Sequence, residues 1–180
     1  MEYLKLNNDV KMPVEGLGTF LMSPAEAEAA SLAALEADYE HIDTANAYMN
    51  EKAVGRAIAK SGVARDKLFV STKLWPSVYE AGDAAIEGTL NRLGFDYVDM
   101  LILHQPVGNY LAAWKTMEKA YKEGKVRALG LSNFPQEKIA EVIDHAEIKP
   151  QLVTVECHPY FAQSDLREYL SQYGIEIEAW

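Results

Sequence analysis

Short apolar runs alternate with helix-like stretches along nearly the whole chain, with few residues between them. That alternation restricts the fold, because strand–helix–strand units pack as a parallel sheet covered by helices. Strand-like runs centre on about Gly16–Thr19, His41–Asp43, Leu68–Thr72, Val98–His104, Val126–Ser132, Leu152–Glu156 and Ile175–Ala179. Ahead of them, Tyr3–Leu6 and Val10–Val14 flank Asn7-Asn8-Asp9 and predict a β-hairpin. A (β/α)8 TIM barrel needs eight strands and typically about 250 residues. The expectation is therefore one α/β domain over residues 1–180, a barrel lacking its eighth strand and C-terminal helices.

The intervening helices have legible ends. Ser23-Pro24-Ala25-Glu26 offers a capping serine, proline at the first helical position and a glutamate placed to answer the serine. Gly94, Gly124 and Gly174 each close a helical pattern before a strand, as left-handed glycines do. Leu111, Trp114, Met117 and Tyr121 fall on one helical stripe, which reads as core packing. Asp38 stands just before the second strand, and an aspartate tolerates a left-handed turn better than most residues.

Composition excludes some functions. A net charge of −10 argues against a nucleic-acid partner, which requires a basic face. No apolar run approaches the roughly 20 residues that span a bilayer, so no membrane partner is expected. The N-terminus lacks a basic-then-apolar export pattern, and the single cysteine, Cys157, forms no intrachain disulfide; the cytoplasm is the expected compartment.

Three strand ends carry the chemistry. His41-Ile-Asp43 is followed by Thr44-Ala-Asn-Ala-Tyr48, Phe69-Val-Ser-Thr ends on Lys73, and Leu101-Ile-Leu ends on His104. In a parallel barrel these ends converge on one rim. Protonating a developing alkoxide needs an acid, and a tyrosine near its free pKa of about 10 is a weak one. An adjacent ammonium lowers a phenol's pKa, and a carboxylate tethers the ammonium. Tyr48 as donor, Lys73 as the charge, Asp43 as tether and His104 as orienting group form a coherent unit. Two rival enzymes use overlapping residues. Lys73 as a Schiff-base amine is disfavoured by the Asp43 carboxylate, which keeps it protonated. A metallohydrolase would draw on His41, Asp43, Glu156 and His158, provided all four faced inward together.

The segments His41-Ile-Asp-Thr-Ala with Tyr48 and Asn50-Glu51, Ser71-Thr-Lys-Leu-Trp75, Asp96-Tyr-Val-Asp-Met-Leu-Ile-Leu-His104 and Gly124-Lys-Val-Arg-Ala-Leu-Gly-Leu-Ser-Asn-Phe134 closely resemble the aldo-keto reductases. The Tyr121-Lys-Glu-Gly124 lead-in and the closing Ile175-Glu-Ile-Glu-Ala-Trp180 resemble the bacterial branch related to diketogluconate reductases. The resemblance implies reduction of small carbonyl compounds by hydride transfer from NADPH (NADH being the alternative), with Asp43, Tyr48, Lys73 and His104 as the catalytic four. It also implies that Thr19, Asp43, Ser132, Asn133, Thr154 and Trp180 hold the cofactor, Trp180 lying against the nicotinamide face. Phe20 and Trp75, with Tyr48 and His104, would line the substrate pocket; ordinary loop packing explains these two aromatics equally well.

The chain also departs from the family pattern. Val153-Thr154 replaces a usual Asn-Gln pair, shortening or losing one nicotinamide contact, and Glu15 replaces a usually apolar residue. The phosphate-binding segment that selects NADPH in the family follows the seventh strand and is absent here. Two open edges would remain, so self-association or pairing with a complementary fragment is expected. The competing expectation is a catalytically silent truncated barrel, unable to bind cofactor alone.

Overall fold

The computed structural model describes residues 1–180. The expected hairpin is present: β1 (Tyr3–Lys5) and β2 (Lys11–Pro13) pair antiparallel, with Leu4 opposite Met12. The chain then alternates: β3 (Leu17–Gly18), α1 (Pro24–Glu36), β4 (His41–Asp43), α2 (Glu51–Ser61), β5 (Phe69–Leu74), α3 (Asp83–Leu93), β6 (Val98–Leu103) and α4 (Tyr110–Lys122). It continues through β7 (Val126–Ser132), α5 (Gln136–His145), β8 (Leu152–Val155), α6 (Ser164–Ser171) and β9 (Glu176–Ala179). β3 to β9 form one seven-stranded parallel sheet in strictly sequential order, with no pairing between β3 and β9. The sheet is an arc of an α/β barrel, as the alternation predicts.

Period-two alternation sorts the strand residues into two layers. Ile42, Val70, Leu101, Leu103, Leu129, Leu131 and Val153 belong to the larger core, with Val54, Leu90, Trp114, Met117 and Ile139 from the helices. The other parity faces inward. Phe69, Met100, Ile102, Ala128 and Leu152 pack there with Leu6 and Met12, so the hairpin closes the bottom of the arc. Further along the same inward positions the residues turn polar, and that change places the site.

Local signals hold. Ser23 Oγ accepts from the Glu26 N–H at 3.3 Å, and the Glu26 carboxylate accepts from the Ser23 N–H at 2.8 Å, completing the capping box. Gly94, Gly124 and Gly174 have φ of 76°, 76° and 64°, and Asp38 adopts the left-handed φ of 64° that aspartate tolerates. Trp114 and Met117 are buried and Leu111 and Tyr121 pack against the same core.

Strand limits differ in two informative places. β5 extends two residues beyond the predicted Thr72, because Lys73 and Leu74 still pair with Ile102 and Leu103 of β6. Lys73 is therefore inside the strand and buried, and Leu74 rather than Lys73 is its last residue. His104 lies one residue past β6, its N–H donating to Leu74 O at 3.0 Å. No helix is long and apolar enough to cross a membrane.

Candidate active site

The strand ends deliver their residues to one cavity of about 840 Å³. β4 brings Asp43, β5 Lys73, the end of β6 His104, β7 Ser132, β8 Thr154, and Trp180 follows β9. Tyr48 arrives on a short 3-10 turn, Asn46–Tyr48, that ends at Met49 in the left-handed region (φ 60°). A bulky residue at positive φ marks a loop held by its surroundings. Buried Asn50 does the holding: its Oδ1 accepts from Thr44 Oγ1 at 2.8 Å, and its Nδ2 donates to Thr19 O and Met22 O at 2.9 and 3.1 Å. This ties the Tyr48 turn to the β3 loop bearing Phe20, whose ring lies 5.1 Å from that of Tyr48.

The Lys73 ammonium donates to Asp43 Oδ2 and to Thr44 O, the latter at 3.1 Å, and lies 5.4 Å from the centre of the Tyr48 ring. Burial works against the ammonium, but the Asp43 carboxylate and the Tyr48 phenol outweigh it and raise the Lys73 pKa. The phenol moves opposite to the sequence expectation: burial raises its pKa, and the Lys73 charge only partly offsets this. Desolvation disfavours the phenolate more than one nearby ammonium favours it. Tyr48 is thus a protonated phenol at neutral pH. His104 packs edge-on to both Tyr48 (5.6 Å) and Trp75 (4.9 Å), and burial, aided by the Lys73 charge, pushes it down to about 4. It is a neutral imidazole at neutral pH.

The expected cofactor residues behave unequally. Ser132, Asn133, Thr154 and Trp180 all line the cavity. Asn133, at φ 62°, donates to Ser132 Oγ (3.0 Å) and accepts from the Trp180 indole N–H (2.9 Å). Ser132 accepts that bond, so its own hydroxyl proton remains available. The buried Nδ1 of His104 has no hydrogen-bond partner. The free Ser132 hydroxyl donor on this wall fits the carbonyl oxygen of a carboxamide such as that of a nicotinamide. Thr19 is placed differently: it is fully buried off the cavity, its hydroxyl donating to Asp43 O at 3.0 Å.

The four metal-ligand candidates do not converge. His41 points into the barrel onto Ser71 Oγ (2.9 Å), whereas Glu156 and His158 pair with each other at the surface (3.1 Å). Three residues of the site escaped the sequence reading: Asn50, Ser71, which donates to Asp43 Oδ1 at 2.6 Å, and Glu178, which accepts from Thr154 at 2.7 Å. Strand parity marks Ser71 as inward, two residues from Lys73. Glu178 needs the β8–β9 register, which sets it opposite Thr154.

Residues 16–180 match the model of the aldo/keto reductase family. The chain is 44% identical over 181 residues to a glyoxal reductase of Bacillus subtilis, covering 98% of this chain and 66% of that protein. It is 42% identical over 182 residues to a morphine 6-dehydrogenase of Pseudomonas putida, covering 98% of this chain and 62% of the relative. An aldo/keto reductase crystal structure from Brucella melitensis superposes with a TM-score of 0.96 at 38% identity, covering 99% of this chain and 72% of that one. The chain spans about two thirds of the length of the curated relatives it matches. A parallel barrel arc, a polar inner rim and a family match over all but the first 15 residues lead to one statement: the chain belongs to the aldo/keto reductase family.

Proposed function

We propose that this chain carries the proton-transfer centre of an NADPH-dependent reductase of aldehydes and ketones. The observation that carries the reading is the meeting of Tyr48, Lys73, Asp43 and His104 on one cavity from three separate strand–loop segments. When bound, the cofactor supplies a hydride to the carbonyl carbon. Tyr48 gives its phenolic proton to the carbonyl oxygen, and solvent water returns a proton to the phenolate. Lys73 opposes the negative charge that develops on the Tyr48 oxygen, so it acts more strongly as the transfer proceeds than before it. Asp43 fixes Lys73. Neutral His104 orients the carbonyl oxygen without placing a second positive charge beside Lys73.

Ser132 and Asn133 would hold the nicotinamide carboxamide, with Thr154 beside them and Trp180 against the ring. Phe20 and Trp75, 64% and 39% exposed, give the substrate an aromatic mouth. The named relatives act on compounds as different as glyoxal and morphine, so the mouth is read as accepting small and bulky carbonyls alike. The site would work in the cytoplasm, where the one free cysteine, Cys157, stays reduced. NADPH consumption in the presence of glyoxal tests the reading. Consumption that depends on both the chain and the aldehyde supports it, and none at millimolar cofactor and substrate overturns it.

A further inference from the structure

We propose that the side-chain amide of Gln105 binds a second oxygen of the substrate, carried on the carbon next to the reacting carbonyl. The site thereby selects neutral α-hydroxy carbonyls and α-dicarbonyls over plain aldehydes and ketones. This rests on the functional reading above for turnover; the amide subsite itself rests on geometry.

Gln105 directly follows His104 at the end of β6 and precedes Pro106. A residue before proline is held to extended backbone. Tyr79 fixes it further: its hydroxyl donates to Gln105 O at 2.9 Å and accepts from the Gln105 N–H at 3.1 Å. Tyr79 is buried in the larger core and sits on the turn Pro76–Ala81, just after Trp75. Both backbone polar groups of Gln105 are thus engaged by one buried phenol. Gln105 nevertheless lines the cavity, so what it presents there is its side chain. That side chain is half-buried, and its amide forms no hydrogen bond within the protein.

Most other polar side chains of the cavity are engaged. Lys73 is held by Asp43, Thr154 donates to Glu178, and Asn133 bonds both Ser132 and Trp180. Tyr48 and His104 serve the reacting oxygen. The Gln105 amide remains, with two N–H donors and one carbonyl acceptor. A partly desolvated amide favours a ligand that pairs it and disfavours one that leaves it unpaired. Its Cα lies about 3.8 Å from that of His104, the group that orients the reacting oxygen, which suits a second oxygen one carbon away. A second carbonyl accepts from the amide N–H, and a hydroxyl also donates to the amide oxygen. A carboxylate fits poorly. No arginine lines the cavity, its one lysine is already paired with Asp43, and Glu178 adds a further carboxyl group.

Turnover and NMR test the subsite separately. With NADPH, kcat/KM for glycolaldehyde is divided by that for propanal, which carries a methyl in place of the hydroxyl. Comparing this ratio between the parent and Gln105→Leu cancels the intrinsic reactivity of the two aldehydes. The expected ratio is about tenfold lower in Gln105→Leu, and one within about twofold of the parent's overturns the proposal. Gln105→Glu accepts but does not donate, so it should lose more activity on butane-2,3-dione than on glycolaldehyde; an equal or smaller loss counts against the proposal. Without cofactor, the Gln105 side-chain NH2 signals, identified by their absence in Gln105→Leu, should shift saturably with hydroxyacetone and not with butan-2-one. Equal responses, or none, overturn the subsite. A chain whose Gln105 signals respond to hydroxyacetone but which reduces no carbonyl retains the subsite and refutes the functional reading alone.

Discussion

The Trp75 backbone N–H donates to Asn46 Oδ1 at 2.8 Å, so the loop after β5 is tied to the turn that ends on Tyr48. One side chain thus fixes the spacing between the proposed proton donor and the aromatic wall facing it. Asn46→Ala removes one hydrogen bond of about 1 kcal/mol. We predict a roughly fivefold fall in kcat/KM, expressed in both kcat and KM, with the melting temperature lowered by only about 2–4 °C. Steady-state kinetics beside a thermal melt separate these effects.

Asn50 has a different weight. It is fully buried and makes hydrogen bonds to Thr19, Met22 and Thr44. Asn50→Ala strands several buried polar groups at once, which costs on the order of 3 kcal/mol. A urea denaturation midpoint close to the parent's would refute this.

Stability should depend on pH through three groups of opposite sign. Burial pushes His41 and His104 down to about 4, so their contribution is complete above about 6.5, the unfolded value, and is lost as pH falls toward 4. Each amounts to about 3 kcal/mol. Glu178, pushed up to about 7, contributes in the opposite sense: its share is present below about 4.5 and is lost as pH rises through 7. Two histidines against one glutamate leave stability rising from about pH 4.5 to 6.5. Glu178→Gln removes the opposing group, so its slope between pH 5 and 6 should be about twice the parent's. Equal slopes in chemical denaturation at those pH values would contradict the assignment.

β3 and β9 are the unpaired edges of the sheet, and β3 is only two residues long. β9 presents four residues of backbone on its free side. Unpaired edges template pairing with another chain. The 180-residue chain is expected to associate in a concentration-dependent manner, and a monomer across micromolar to millimolar light scattering would refute this.

Much of the architecture was legible because each element's signal is local. The β4 and β7 limits, the α1 capping box and the three glycine stops follow from neighbours in sequence. The extra length of β5 was not legible, because Lys73 and Leu74 stay in the sheet only through pairing with β6. The proposed catalytic four stand out because each ends a strand-like run or follows one closely. Their support does not: Asn50 and Ser71 look like ordinary polar residues until the fold sets Thr44 and Asp43 against them. The direction of the Tyr48 shift is not legible in the sequence for a similar reason, since burial, a property of the assembled rim, outweighs the neighbouring charge.

The most direct test of the central claim is single-turnover NADPH oxidation with glyoxal, comparing the parent chain with Tyr48→Phe and monitoring cofactor binding in parallel through Trp180 and Trp75 fluorescence. The proposed role predicts a rate loss of about 10²- to 10⁴-fold for Tyr48→Phe with cofactor affinity essentially unchanged. A Tyr48→Phe chain that turns over at the parent's rate would contradict it.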